Sequence, residues 1–159
     1  MDMAPIALVG CGIAVILSYF WLVSKKSIDS LWSIPPNLRY FFLVFMPLAA
    51  ISGVFVAFKW LRNKPDGWVG TIFPFVMFTF CVFAGLWSVA MVIDCEWMVS
   101  LSLVACALLS IVLLIGACNA NDIAAIIALT FFSITTVLLD CIVWQSFYFK
   151  SVEHSQEMK

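Results

Sequence analysis

The run from Ile123 to Phe149, IAAIIALTFFSITTVLLDCIVWQSFYF, is long enough to cross a lipid bilayer and carries one carboxylate, Asp140, well inside it. A helical crossing needs about 20 mainly apolar residues. A charged Asp on such a helix costs about 2.5–3.5 kcal/mol at the midplane and less near an interface, so residues of this kind face protein or water rather than lipid. The rest of the chain is therefore expected to supply partner surface for this segment.

Composition agrees. Of the 159 residues, 65% are hydrophobic and 11% charged, with a mean hydropathy of +1.13, whereas soluble domains carry about 25% charged residues. The apolar runs are too many and too long for one buried soluble core. The fold class read from this pattern is an all-α integral membrane protein, a single five-transmembrane-helix bundle over 1–159. Its spans fall at about 5–24, 40–61, 69–93, 97–118 and 123–149, with a polar tail at 150–159. The first run lacks a basic n-region, carries Asp2 and shows no A-x-A site before Lys25, so it reads as a span rather than a cleaved signal peptide. The net charge of -1, without any basic cluster, speaks against a nucleic-acid partner. Six cysteines are spread singly, none in a C-x-x-C pair, and the one histidine, His154, lies in the tail. Disulfide exchange, zinc, and haem held by paired histidines thus lose their ligands, and neither metal nor cofactor is expected.

The connections have their own signatures. Span 1 closes on Tyr19, Trp21, Lys25 and Lys26, the aromatic-then-cation order of a membrane interface. The following loop holds Trp32, Ile34, Pro35 and Pro36, and proline chemistry makes Ile34–Pro36 a stiff extended lead into span 2. Within span 2, Pro47 is followed by Ala49, Ala50, Ser52 and Gly53, small residues that allow close helix approach. Pro65, Asp66 and Gly67 form the next turn, and Asp94–Cys95–Glu96 is so short that spans 3 and 4 must be antiparallel neighbours. Ser100, Ser102 and Ser110 of span 4 are expected to bond back to their own helix. Asn119–Asp122 offers an Asn or Asp cap for span 5. The Lys and Arg distribution favours a cytosolic C-terminus and an outside N-terminus.

Few constellations carry chemistry. Asp140 and Trp144 share a helix face at i, i+4, with Gln145 beside them, an arrangement that suits either a ligand's polar group or a neighbouring helix. Thr130, Ser133, Thr135 and Thr136 are read mainly as back-bonding hydroxyls. Of seven tryptophans, most sit at span ends as interface anchors, whereas Trp87 lies inside span 3, as core filling or as the wall of a pocket. Val143, Tyr148 and Lys150 fit a proposed sterol-contact pattern, one that any span ending in aromatics and a cation tends to match.

The Trp32–Pro36 loop, Trp60 near the end of span 2, Trp87 in span 3, Trp97 opening span 4 and Leu139–Asp140–Cys141–Ile142–Val143–Trp144 closing span 5 together resemble the translocator protein family. These are the tryptophan-rich sensory proteins, or peripheral benzodiazepine receptors, and the likeness covers most of the chain. It implies a bundle pocket for a tetrapyrrole, a sterol or a similar flat apolar molecule. The walls it implies are Trp32 and Pro35 from the loop, Trp87, and Asp140 with Trp144, and Asp140 or Gln145 would orient one polar group. The chain departs from the family where an Asn precedes the span 3 tryptophan (Phe83–Leu86 here), at an aromatic pair in span 2 (Phe45, Met46, Pro47 here), and at the last-span Asn, which is Asp140. These positions help line the family's pocket, so the likeness carries the fold further than the ligand.

The resulting expectation is a multi-pass protein in the lipid bilayer that binds a flat apolar ligand for transport or sensing, as a homodimer or as part of a larger membrane complex. The alternative is a non-catalytic accessory subunit whose helices exist to pack. A channel has no filter motif in its favour, and no catalytic triad, Cys–His pair or paired carboxylates suggest an enzyme.

Overall fold

A computed structural model describes residues 4–25 and 35–150. Among these no strand occurs, and the chain is helical apart from short turns. The helices are α1 (Ala4–Lys25), α2 (Pro36–Arg62), α3 (Gly67–Val92), α4 (Glu96–Asn119) and α5 (Ile123–Ile134). The last runs on without a break through a π-helical segment, Thr135–Trp144, and returns to α-helix at 145–150. Four stretches, Leu38–Arg62, Gly67–Val92, Glu96–Asn119 and Ile123–Lys150, are long and apolar enough to cross a membrane, and Gly12–Leu22 is a shorter apolar helix. Large apolar side chains such as Phe20, Phe58, Phe75, Trp97 and Ile127 point outward. A soluble monomer does not leave so much apolar surface to water, whereas a bilayer accepts it.

The helix limits follow from local chemistry. Helix α2 starts earlier than the apolar pattern suggests, because Pro36 occupies the first helical position, where its fixed backbone suits the helix and its missing N–H has no partner to lose. Of the extended lead expected over Ile34–Pro36, Ile34 lies outside the described residues and Pro35 keeps that geometry at φ -51 and ψ 142. Its carbonyl accepts from the amides of Leu38 and Arg39 at 2.9 and 3.2 Å. Lys59 and Arg62 sit in the last turn of α2, where cations favour the helix dipole. In the turn that follows, Gly67 holds φ +69, and a Cβ on Gly70 would lie 2.0 Å from the carbonyl oxygen of Pro65, so only glycine permits this approach.

The next two turns share one construction. Each helix ends in a left-handed residue, Asp94 (φ 53) after α3 and Asn121 (φ 52) after α4, residue types that tolerate this conformation. The following amide turns back onto the helix: Cys95 N–H donates to Ala90 O at 3.0 Å, and Asp122 N–H to Ala117 O at 3.2 Å. These are Schellman closures, and each leads at once into the next helix, so α3–α4 and α4–α5 are antiparallel neighbours.

Helices α3 and α4 make the most extensive contact; α1 packs on α3, α5 on α4, and α2 on α5. Two buried clusters fill the ends of the bundle. One joins Ala49, Val56 and Trp60 to Phe73, Leu113, Leu129 and Phe132. There Gly53 faces Phe132, whose ring would be 3.3 Å from an added Cβ, so the small residues of α2 do form a packing face. The other cluster joins Leu22 and Phe42 to Met91, Val99, Leu103, Trp144 and Tyr148. Polar side chains bridge the helices between them. Ser18 Oγ donates to Ser88 Oγ at 3.2 Å, Ser133 Oγ to Ser110 O at 2.9 Å, and Gln145 Nε2 to Ser100 Oγ at 2.7 Å. Such bonds between apolar helices contribute about 0.6 kcal/mol each. Ser102 and Ser110 bond back to Met98 O and Ala107 O, as their setting in α4 suggests.

Candidate functional site

Between the two clusters lies a cavity of about 250 Å³ to which every helix contributes. Tyr19 and Leu22 come from α1, Phe42 and Met46 from α2, Phe80, Ala84 and Trp87 from α3, and Leu103 and Cys106 from α4. Thr136, Asp140 and Trp144 come from the π segment. Helices α1 and α2 pack mainly on α3 and α5, respectively. Tyr19 is 37% exposed.

Three aromatic rings form a continuous wall. Tyr19 meets Trp87 edge-on with centroids 5.7 Å apart, and Trp87 meets Trp144 edge-on at 5.5 Å. Tyr148 stacks behind Trp144 at 5.0 Å and 13° between planes, fixing the indole from outside the cavity. Edge-on pairs present the electron-rich face of one ring to the positive edge of the next, adding about 0.5–1.5 kcal/mol beyond burial. The indole N–H of Trp87 is buried and has no acceptor among the described residues.

The π segment sets the carboxylate in this wall. Thr135 and Thr136 turn their hydroxyls back onto Phe131 O and Phe132 O at 3.0 and 2.9 Å. The amides beyond reach one residue further back, and the helix widens. Steps of four along the widened stretch bring Thr136, Asp140 and Trp144 to the cavity together. Among the described residues none hydrogen-bonds to the Asp140 carboxylate, and no Lys, Arg or His lines the cavity. Segments of this kind are uncommon and concentrate at functional positions.

Of the residues singled out from the sequence, Trp87, Asp140 and Trp144 meet here. Pro35 caps α2 and does not line the cavity, and Trp32 and the tail at 151–159 lie outside the described residues. Val143 packs against the cluster around Trp144, Tyr148 stacks behind that indole, and Lys150 is exposed, so these three form no common surface on the cavity. Gln145 is engaged by Ser100 and does not reach the cavity, which leaves Asp140 as the one carboxyl group there among the described residues. Tyr19, Phe42, Met46, Phe80 and Cys106 were not legible as wall residues, since nothing in an apolar run marks which face looks inward.

The second carboxylate of this helical rod is held very differently. Asp122 caps α5 through Oδ1, which accepts from the amide of Ala125 at 3.1 Å. The same oxygen takes the Lys59 ammonium, and Oδ2 accepts from Trp60 Nε1 at 2.9 Å. Burial acts to raise the carboxyl's pKa. The bonds from Lys59, Trp60 and Ala125, with the Lys59 charge, outweigh it and hold the group below the ordinary carboxylate range. Trp60 is therefore no interface anchor: it is 3% exposed, donates to Asp122, and meets Phe73 edge-on at 4.9 Å. Trp68 and Trp97, by contrast, are exposed at their helix starts.

Comparisons with known protein families, with characterised proteins and with solved structures find no match.

Proposed function

We propose that this chain is a multi-pass, five-crossing membrane protein, resembling the translocator family, that binds a flat apolar ligand in the cavity at Trp87, Trp144 and Asp140, in a transport or sensing role. The observation behind this reading is the cavity itself: an aromatic wall drawn from separate helices around one carboxylate that no described residue bonds. Ligand sites are concave and mostly apolar, with few polar groups to fix orientation. The size bears on the ligand. A dry cavity of about 150 Å³ admits benzene, and by the same proportion 250 Å³ encloses about ten non-hydrogen atoms. A tetrapyrrole or sterol would insert one edge and leave the rest outside the cavity. The basic residues Lys25, Arg39 and Lys150 at the cavity end of the bundle favour placing that end, with the C-terminus, in the cytosol.

The test is tryptophan fluorescence of the detergent-purified chain, titrated with protoporphyrin and, separately, with a fluorescent cholesterol analogue. Saturable quenching that weakens in Trp87→Ala but not in Trp68→Ala is expected. Equal effects of the two substitutions, or no saturable response from a monodisperse helical chain, would leave the packing-subunit reading in its place.

A further inference from the structure

We infer that the cavity selects ligands with a protonated amine: the aromatic faces of Tyr19, Trp87 and Trp144 form a cation cage, and Asp140 supplies the counter-charge. This deepens the ligand-binding reading above and rests on it.

Three observations converge. Tyr19, Trp87 and Trp144 all line the cavity, and Trp87 stands at 84° and 73° to the other two rings, so the wall holds rings in more than one orientation toward a compact cation. Cations over aromatic faces are attracted most strongly once desolvated, and cages of aromatic rings recognise ammonium groups. Among the described residues, Asp140 is the only carboxylate on the cavity and no basic residue lines it. In a low-dielectric pocket an unpaired carboxylate is costly, and an entering cation removes that cost while an entering anion increases it. Finally, the remaining wall, with Phe42 and Leu103, is apolar, which suits a short hydrocarbon or aromatic body behind the charged head. The volume, about ten non-hydrogen atoms as estimated above, matches an arylalkyl amine and leaves no room for a strongly hydrated one.

The experiment uses three ligands of nearly equal size, 2-phenylethylammonium, 2-phenylethanol and phenylacetate. Each is titrated calorimetrically into the full chain in uncharged detergent micelles at neutral pH. The ammonium should bind about tenfold or more tightly than the alcohol, and phenylacetate should not bind. Asp140→Asn, which keeps the side chain's size, should bring the ammonium and the alcohol level. Should that variant not fold, the ranking on the native chain decides. Alcohol and ammonium binding equally to the native chain would overturn the amine preference while leaving an apolar site intact. So would a preference that survives Asp140→Asn. No binding of any of the three, together with no response to protoporphyrin or the sterol, would remove the ligand site altogether.

Discussion

Asp122 and Asp140 belong to one continuous helical rod, yet the fold treats them in opposite ways. Asp122 stands at the first turn with both oxygens engaged, by an ammonium, an indole N–H and a backbone amide. Asp140 stands in the widened stretch against a cavity, with no described residue bonded to it. Satisfied carboxylates at helix starts hold structures together, whereas an unsatisfied one inside an apolar bundle weakens its own fold. The difference lies in where the helix places each residue, since the side chains are identical.

That contrast can be broken by substitution. Asp122→Ala removes the cap, the ion pair and the indole's acceptor at once, and leaves Lys59 and the buried Trp60 N–H unpaired. A loss of about 3 kcal/mol is expected, read as a lower melting temperature of the chain in detergent. Asp140→Leu should move the other way, raising stability by about 1–3 kcal/mol, because a buried polar group without a partner is replaced by packing atoms. If the Asp140 variant melts lower than the native chain, the carboxylate has a structural partner and the contrast fails.

Acid sharpens the comparison further. The folded-state pKa of Asp122 is lowered, so its contribution is fully present above the unfolded value of about 3.9 and is lost as pH falls through the lower folded value. A stability profile taken downward from pH 5 should therefore fall off more steeply in the native chain than in Asp122→Asn, and parallel profiles would refute the network at that end.

Much of the architecture was legible from residue patterning. Runs of apolar residues located every described helix, and Pro65–Gly67, Asp94–Cys95 and Asn119–Asp122 located the turns, because proline, glycine and residues that accept left-handed backbone act locally. The candidate site was legible only in part. Trp87, Asp140 and Trp144 stood out because an indole or a carboxylate inside an apolar run needs a reason. Tyr19 and Phe42 did not stand out, since an apolar ring suits lipid and cavity equally. The pairing of Lys59 and Trp60 with Asp122 depends on α2 lying against α5, a tertiary fact that no local pattern encodes. The widened helix left no such trace: Thr135 and Thr136 back-bond as foreseen, but so do Thr79 in α3 and Ser102 in α4 without any widening.

That widening also bears on length. The rod from Ile123 to Lys150 has 28 residues against 24 in Glu96–Asn119, and as ideal α-helix it would reach about 42 Å, well beyond a hydrocarbon core of about 30 Å. A coil with more residues in each turn advances less along its axis, so the stretch that carries Asp140 also shortens the longest helix toward the reach of its neighbours. In a bilayer this eases hydrophobic mismatch without added tilt. Straightening the stretch to α-helix would drive Lys150 further out from the bundle, coupling the shape of the cavity wall to the thickness of the membrane around it.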